Sequence, residues 1–227
     1  MIASVHLADV GLRRTLRVLR RRPQGIKGLR HGEVGATAPF GERRQPPTPG
    51  RVGLLAFWDD DAALDAFLED DPLAAVFADG WRVRMEPLRA FGSWPGLPGD
   101  VPTSRSVSYD GPAVVLTLGR LRISQAVRFF RTSSKAEAKV IKAPGAIWAT
   151  AMARPPFLAT VSVWEDAKSI ASYAYGNSDP RHLDAIHTQA KKDFHKQSAF
   201  IRFRPYEVTG SLSGKNPLAA GALSAAG

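Results

Sequence analysis

Two stretches of this chain follow one plan, and that duplication limits the possible folds more than any bulk property does. The run LLAFWDDDAALDAF beginning at Leu54 matches ATVSVWEDAKSIASY beginning at Ala159: Trp58 falls on Trp164, Asp60 on Asp166 and Phe67 on Tyr173, each at an offset of 106. Asp71-Pro72 then falls on Asp179-Pro180 at an offset of 108, and RMEPLRAFGSW on RFRPYEVTGSL at 118. Arg84 meets Arg202, Pro87 meets Pro205, and Gly92-Ser93 meets Gly210-Ser211. The order is kept, and the growing offset needs only insertions in the second copy.

Each copy reads as strand, helix, a less certain strand, strand, helix, helix, strand. Strands are read from β-branched and aromatic runs at residues 3–10, 52–58, 81–91, 113–118, 143–153, 158–164 and 200–208. Helices are read over residues 13–22, stopped by Pro23, then 62–68 and 123–132. Two more follow over residues 167–175 and from Pro180 to about Lys196. Asp59, Asp60 and Asp61 suit a helix N-terminus, where carboxylates meet free N–H groups; consecutive carboxylates at a cap do not converge on one metal. Residues 32–50 read as loop.

A four-stranded antiparallel sheet with helices on one face leaves its other face bare. Two copies in one chain can close those faces on each other. The expected class is α+β, two ferredoxin-like repeats forming a barrel-like sandwich, with a shared cavity between them. The division is residues 1–94 for the first repeat, 95–112 for a linker, 113–212 for the second repeat and 213–227 for a disordered tail.

Cysteine is absent, which excludes disulfides, thiolate metal sites and iron–sulfur clusters and fits a cytoplasmic protein. No run of 18 apolar residues is present to span a membrane as a helix. The formal charge is +10, and much of the excess lies in Arg13, Arg14, Arg17, Arg20, Arg21, Arg22, Lys27 and Arg30. Such a run reads as a solvated basic face or as a contact for an anionic surface. Nucleic acid is not expected, because the aromatic residues sit in core-like strands rather than among the basic ones. No G-x-S-x-G, P-loop or G-x-G-x-x-G is present, so acyl and phosphoryl transfer have no motif support.

Three of the five histidines cluster after Pro180. Leu183, Ile186, Ala190 and Phe194 form an apolar stripe there, and His187 lies roughly 40° from its centre, with His182 and His195 about 100° away. His182 and His187 are five apart and do not face one another, which disfavours a two-histidine chelate. One inward imidazole is either a packed core histidine or an axial ligand for a haem, whose other face stays open. The first copy has Leu73-Ala74 where the second has Arg181-His182, so the chemistry is confined to one half.

Ser162-x-Trp164, Tyr173-Ala174, His182 with Ala185-Ile186, and Arg202-Phe203, together with LTLGRLRISQAVRFF (116–130) and FGSWPGLP (91–98), form a pattern that resembles the spheroidene monooxygenase family. The resemblance covers most of the chain and is strongest from Leu116 to Leu212. The resemblance implies a single-chain dimeric α/β barrel, a bound haem, and oxidation of a lipophilic carotenoid-type substrate using O2 and an electron donor. It implies His182 as the iron ligand, while helix geometry points to His187. Peripheral contact with a membrane and pairing into a homo-oligomer are both compatible with it. The alternatives are a haem-free barrel oxygenase or isomerase, and a non-enzymatic haem or small-molecule binder.

Overall fold

The computed structural model describes residues 1–40, 47–104, 107–125, 139–175 and 194–218. Among them, eight strands close into one barrel: β1 (Ile2–Asp9), β2 (Leu29–Pro39), β3 (Arg51–Trp58), β4 (Trp81–Gly92), β5 (Ala113–Leu121), β6 (Ala146–Arg154), β7 (Phe157–Trp164) and β8 (His195–Thr209). Their order around the barrel is β1-β3-β2-β6-β7-β5-β8-β4, with every pairing antiparallel. Each half therefore contributes the ferredoxin-like order, and the halves join edge to edge through β4–β8 and β2–β6. The helices are α1 (Leu12–Leu19), α2 (Asp61–Asp70) and α3 (Ala167–Tyr175), with 3-10 turns at Ala74–Val76 and Ile123–Gln125. The expected two-repeat barrel is the observed one.

The repeat holds down to hydrogen bonds. Asp60 caps α2 by accepting from the Ala63 amide at 2.9 Å, and Asp166 caps α3 by accepting from the Ser169 amide at 2.7 Å. Trp58 stacks on Phe67 at 4.9 Å between centroids, and Trp164 on Tyr173 at 5.3 Å. Each buried indole N–H also finds a serine hydroxyl at 2.9 Å, Trp58 on Ser4 and Trp164 on Ser162. These serines are not repeat equivalents. Ser4 faces Ala56 across β1–β3, and Val115 faces Ser162 across β5–β7, so the same hydroxyl comes from opposite strands of an equivalent pair.

Three expectations are corrected. The loop expected over residues 32–50 contains most of β2, whose small residues Gly35, Ala36 and Ala38 carry no strand signal of their own. That strand exists because β3 and β6 flank it on both edges. His195 and Lys196 open β8 instead of ending a helix. Residues 213–218 dock rather than trail away: Trp81 Nε1–H donates to Asn216 Oδ1 at 2.9 Å, and Leu218 is buried in the core.

The shared cavity is the fourth correction. Inward positions of both halves carry Phe57, Trp81, Met85, Leu116, Met152 and Phe203, all buried, and these fill the barrel. Both ends are stoppered by the repeat itself. After β4 the chain turns at Gly92 (φ +86°) and buries Trp94; after β8 it turns at Gly210 (φ +72°) and buries Leu212. The segment between the halves also packs inward, through Leu97 and Val101.

Candidate functional site

With the interior filled, the faces to compare for a large apolar ligand are the outer faces of the two half-sheets, under the helices. The first face is closed. Leu64 and Phe67 of α2, with Leu73 and Phe77 beyond it, bury Leu54, Ala56 and Trp58. His6 lies in the same layer, fully buried, 6.1 Å from the Phe67 ring and 5.8 Å from Phe77. Ser4 Oγ, which accepts from Trp58 Nε1–H, also shares a 2.9 Å hydrogen bond with His6 Nε2. Burial, then Arg82 and Arg84, push the imidazole pKa down to about 3. His6 is a neutral core residue that sequence reasoning had not singled out; the alternation of β1, with even positions turned to the helices, is the signal that places it.

Arg84 sits at the rim of this face. It is held by Asp61 (3.1 Å) and Asp65 on α2 and by Glu207 across the β4–β8 seam (3.3 Å). Tyr206 O–H donates to Asp61 at 2.8 Å, and burial together with that carboxylate pushes the phenol well up.

The second face is built from equivalent positions with different chemistry. Val115 and Thr117 on β5, Leu158, Thr160, Ser162 and Trp164 on β7, and Phe200 and Arg202 on β8 make up its floor. Val115, Thr117, Thr160 and Phe200 are half-buried, where the equivalents Ser4, His6, Leu54 and Arg82 include three that are fully covered. The repeat positions equivalent to the three carboxylates around Arg84 are not acidic: Ala167 and Ala171 stand for Asp61 and Asp65, and Arg89 for Glu207. Arg202 is 8% exposed.

His182 and His187 lie outside the described residues, between α3 and β8 in the sequence. His195 is described, and its ring lies against Gly119 of β5, in the same outward row as Val115 and Thr117. No group of three or more histidine, aspartate or glutamate side chains able to hold a metal occurs among the described residues. The face fits a flat apolar group in the character of its floor: aliphatic and aromatic side chains, short hydroxyls, and one arginine at the rim.

Spheroidene monooxygenase of Rubrivivax gelatinosus is 32% identical to this chain over 188 residues, covering 80% of this chain and 70% of that one. The enzyme of the same name from Cereibacter sphaeroides is 23% identical over 171 residues, covering 73% of this chain and about half, 52%, of its own length. Among solved structures, an aldoxime dehydratase in complex with butyraldoxime is similar at 9% identity and a TM-score of 0.49, over 91% of this chain and 80% of that one. No family model matches the chain.

Proposed function

Since the chain belongs to the spheroidene monooxygenase family and is a monooxygenase-type oxidoreductase, we propose that it carries a haem on the outer face of its second half and oxidises a lipophilic, carotenoid-type substrate there. The observation that carries the reading is the asymmetry of the repeat. The first face is filled by large side chains and a neutral buried histidine, while the second keeps a half-buried floor, and His182 and His187 belong in sequence to that same half. His182 is the proposed axial ligand and His187 the alternative.

A haem held by one imidazole would leave an iron face open to O2, which is the chemistry that group supplies when bound. The chain's own part is to position and to exclude. Insertion of one oxygen atom into a C–H bond consumes O2, two electrons from an external donor and two protons, and releases water. Val115, Leu158 and Phe200 give an apolar substrate a surface to lie on and keep bulk water away from it. The Trp164–Ser162 hydrogen bond and the Trp164–Tyr173 stack fix α3 on that floor. The test is an absorption spectrum after haem supplementation, for the natural chain and for His182→Ala and His187→Ala. A Soret band lost in the His182 variant alone is the expected result; no band in the natural chain refutes the reading.

Such a substrate resides in a bilayer, and α1 supports peripheral contact with one. Thr15 and Val18 face the core, whereas Leu12 is 63% and Leu16 52% exposed, one turn apart, beside the exposed Arg13, Arg17 and Arg20. No acidic residue occurs from Val10 to Gly32. No helix among the described residues is long and apolar enough to cross a membrane. Flotation with phosphatidylglycerol vesicles should carry the protein up, and equal recovery with phosphatidylcholine vesicles would sink this assignment.

A further inference from the structure

Where β2 runs past the β6–β7 hairpin, a cleft of about 190 Å³ opens, lined by Arg22, His31, Glu33, Arg120, Arg154 and Phe157 among others. That is room for roughly six waters at about 30 Å³ each. Glu33 is buried at its centre. Arg154 Nη2–H donates to Oε2 at 2.6 Å, and Arg120 Nη2–H to Oε1 at 3.3 Å. Arg154 also ties in the main chain below α1 by donating to the Arg21 carbonyl at 3.0 Å. Burial raises the Glu33 carboxyl, but His31 and Arg154 outweigh it, and the group is held below its ordinary range as a carboxylate. The Arg120 guanidinium lies 5.3 Å from the centre of the buried Trp94 ring, which fixes its plane.

Closing the barrel does not need this cluster. The repeat supplies the equivalent seam at the other end, where Thr150 stands for Glu33, Thr37 for Arg154, Trp148 for His31 and Asp9 for Arg120. That seam is shut by Thr150 Oγ1–H donating to the Ala38 carbonyl at 3.0 Å. Charges buried at one seam and dispensed with at its twin serve something other than the fold. Three buried nitrogens here, His31 Nε2, Arg154 Nε and Trp94 Nε1, have no hydrogen-bond partner among the described residues. His31 Nε2 is 3.3 Å from Glu33 Oε1 but outside hydrogen-bond geometry.

We propose that this cleft binds a phosphate group, with Arg22 and Arg120 as its donors, His31 on its wall, and Glu33 with Arg154 as the positioning pair that holds Arg120. Three guanidinium groups offer more N–H donors than one carboxylate accepts, and a tetrahedral dianion matches the surplus in both charge and acceptor number. The phosphate belongs either to a lipid headgroup, since Arg22 continues the exposed basic face of α1, or to a free phosphorylated compound.

The probe is inorganic phosphate, titrated calorimetrically into the full chain at low ionic strength. One saturable site is expected, weakened roughly tenfold by Arg120→Gln and by Arg22→Gln. Arg14→Gln removes the same charge beside the opposite end of the barrel and leaves the affinity unchanged. Near-UV circular dichroism confirms that each variant is folded, and Arg22, being exposed, carries the test if Arg120→Gln is not. Absence of a saturable site, or equal weakening by all three substitutions, overturns the proposal. Vesicle flotation then separates the sources. Release from phosphatidylglycerol vesicles by excess phosphate assigns the site to a headgroup, and retention assigns it to a free compound. Loss of the Soret band leaves this result untouched, so the two readings fail separately.

Discussion

Replacing His6 with glutamine should flatten the pH dependence of stability between pH 7 and pH 5. The ring is fully buried, with Ser4 on its own strand, Phe67 and Phe77 around it, and the charged groups acting on it are Arg82 and Arg84 of β4. Its folded pKa is about 3 against 6.5 in the unfolded chain. As pH falls below about 6.5 the unfolded chain takes up a proton that the folded chain refuses until about pH 3. The stabilisation from a neutral His6 is therefore complete above about pH 6.5 and is lost progressively as pH falls towards 3. At about 1.4 kcal/mol per pH unit, the loss is roughly 2 kcal/mol between pH 7 and 5 and about 5 kcal/mol over the whole window. Glutamine keeps a hydrogen-bonding partner for the Ser4 hydroxyl, as donor or acceptor, and does not titrate. Urea unfolding followed by tryptophan fluorescence at the two pH values measures the difference. The depressed carboxylates Asp9, Glu33 and Asp166 are common to both proteins and cancel. Equal losses in the natural chain and in His6→Gln would refute the reasoning. So would a His6 ring resonance that titrates between pH 8 and 5.

The two end turns make a matched pair of tests. A Cβ at Gly210 would run into the Gly80 carbonyl oxygen and one at Gly92 into that of Ser198, both at positive φ, so Gly92→Ala and Gly210→Ala should each lower the unfolding free energy measured in urea by about 2 kcal/mol or more, moving the midpoint down. A midpoint within error of the natural chain would contradict the packing described for those turns. Trp94→Ala empties one end of the barrel and leaves Arg120 without its ring, for an expected loss of roughly 3–5 kcal/mol on the same assay. Leu212→Ala does the same at the other end with a smaller side chain, and should cost about 2–5 kcal/mol.

Much of the fold was legible because the repeat is a local pattern written twice. Trp58 and Trp164, Asp60 and Asp166, Gly92 and Gly210 fall in the same order in the two copies, and each does in its own half what its partner does in the other. What escaped was whatever depends on neighbours. β2 has too many glycines and alanines to announce itself, and its strand pairing comes from β3 and β6. Leu218 and Asn216 look like tail, yet they close the end of the barrel above Trp81. The candidate site divides likewise: the asymmetry of the histidines is visible in the sequence, while the half-buried floor of the second face is known only from the sheet.

By itself the sequence determined that there are two copies of one unit, the inward and outward alternation of most strands, and the caps and turns, because these follow from periodicity and from the stereochemistry of a few residues. Only the tertiary structure decided that the interior is full rather than hollow, since that depends on the summed volume of side chains brought in from both halves. It alone gathered Arg120 and Arg154, which lie 87 and 121 residues from Glu33, around that carboxylate, at a site whose twin has threonines in place of Glu33 and Arg154. It also turned His6 from an ordinary titrating side chain into a neutral one, because desolvation is a property of everything packed around a group and is not encoded at its own position.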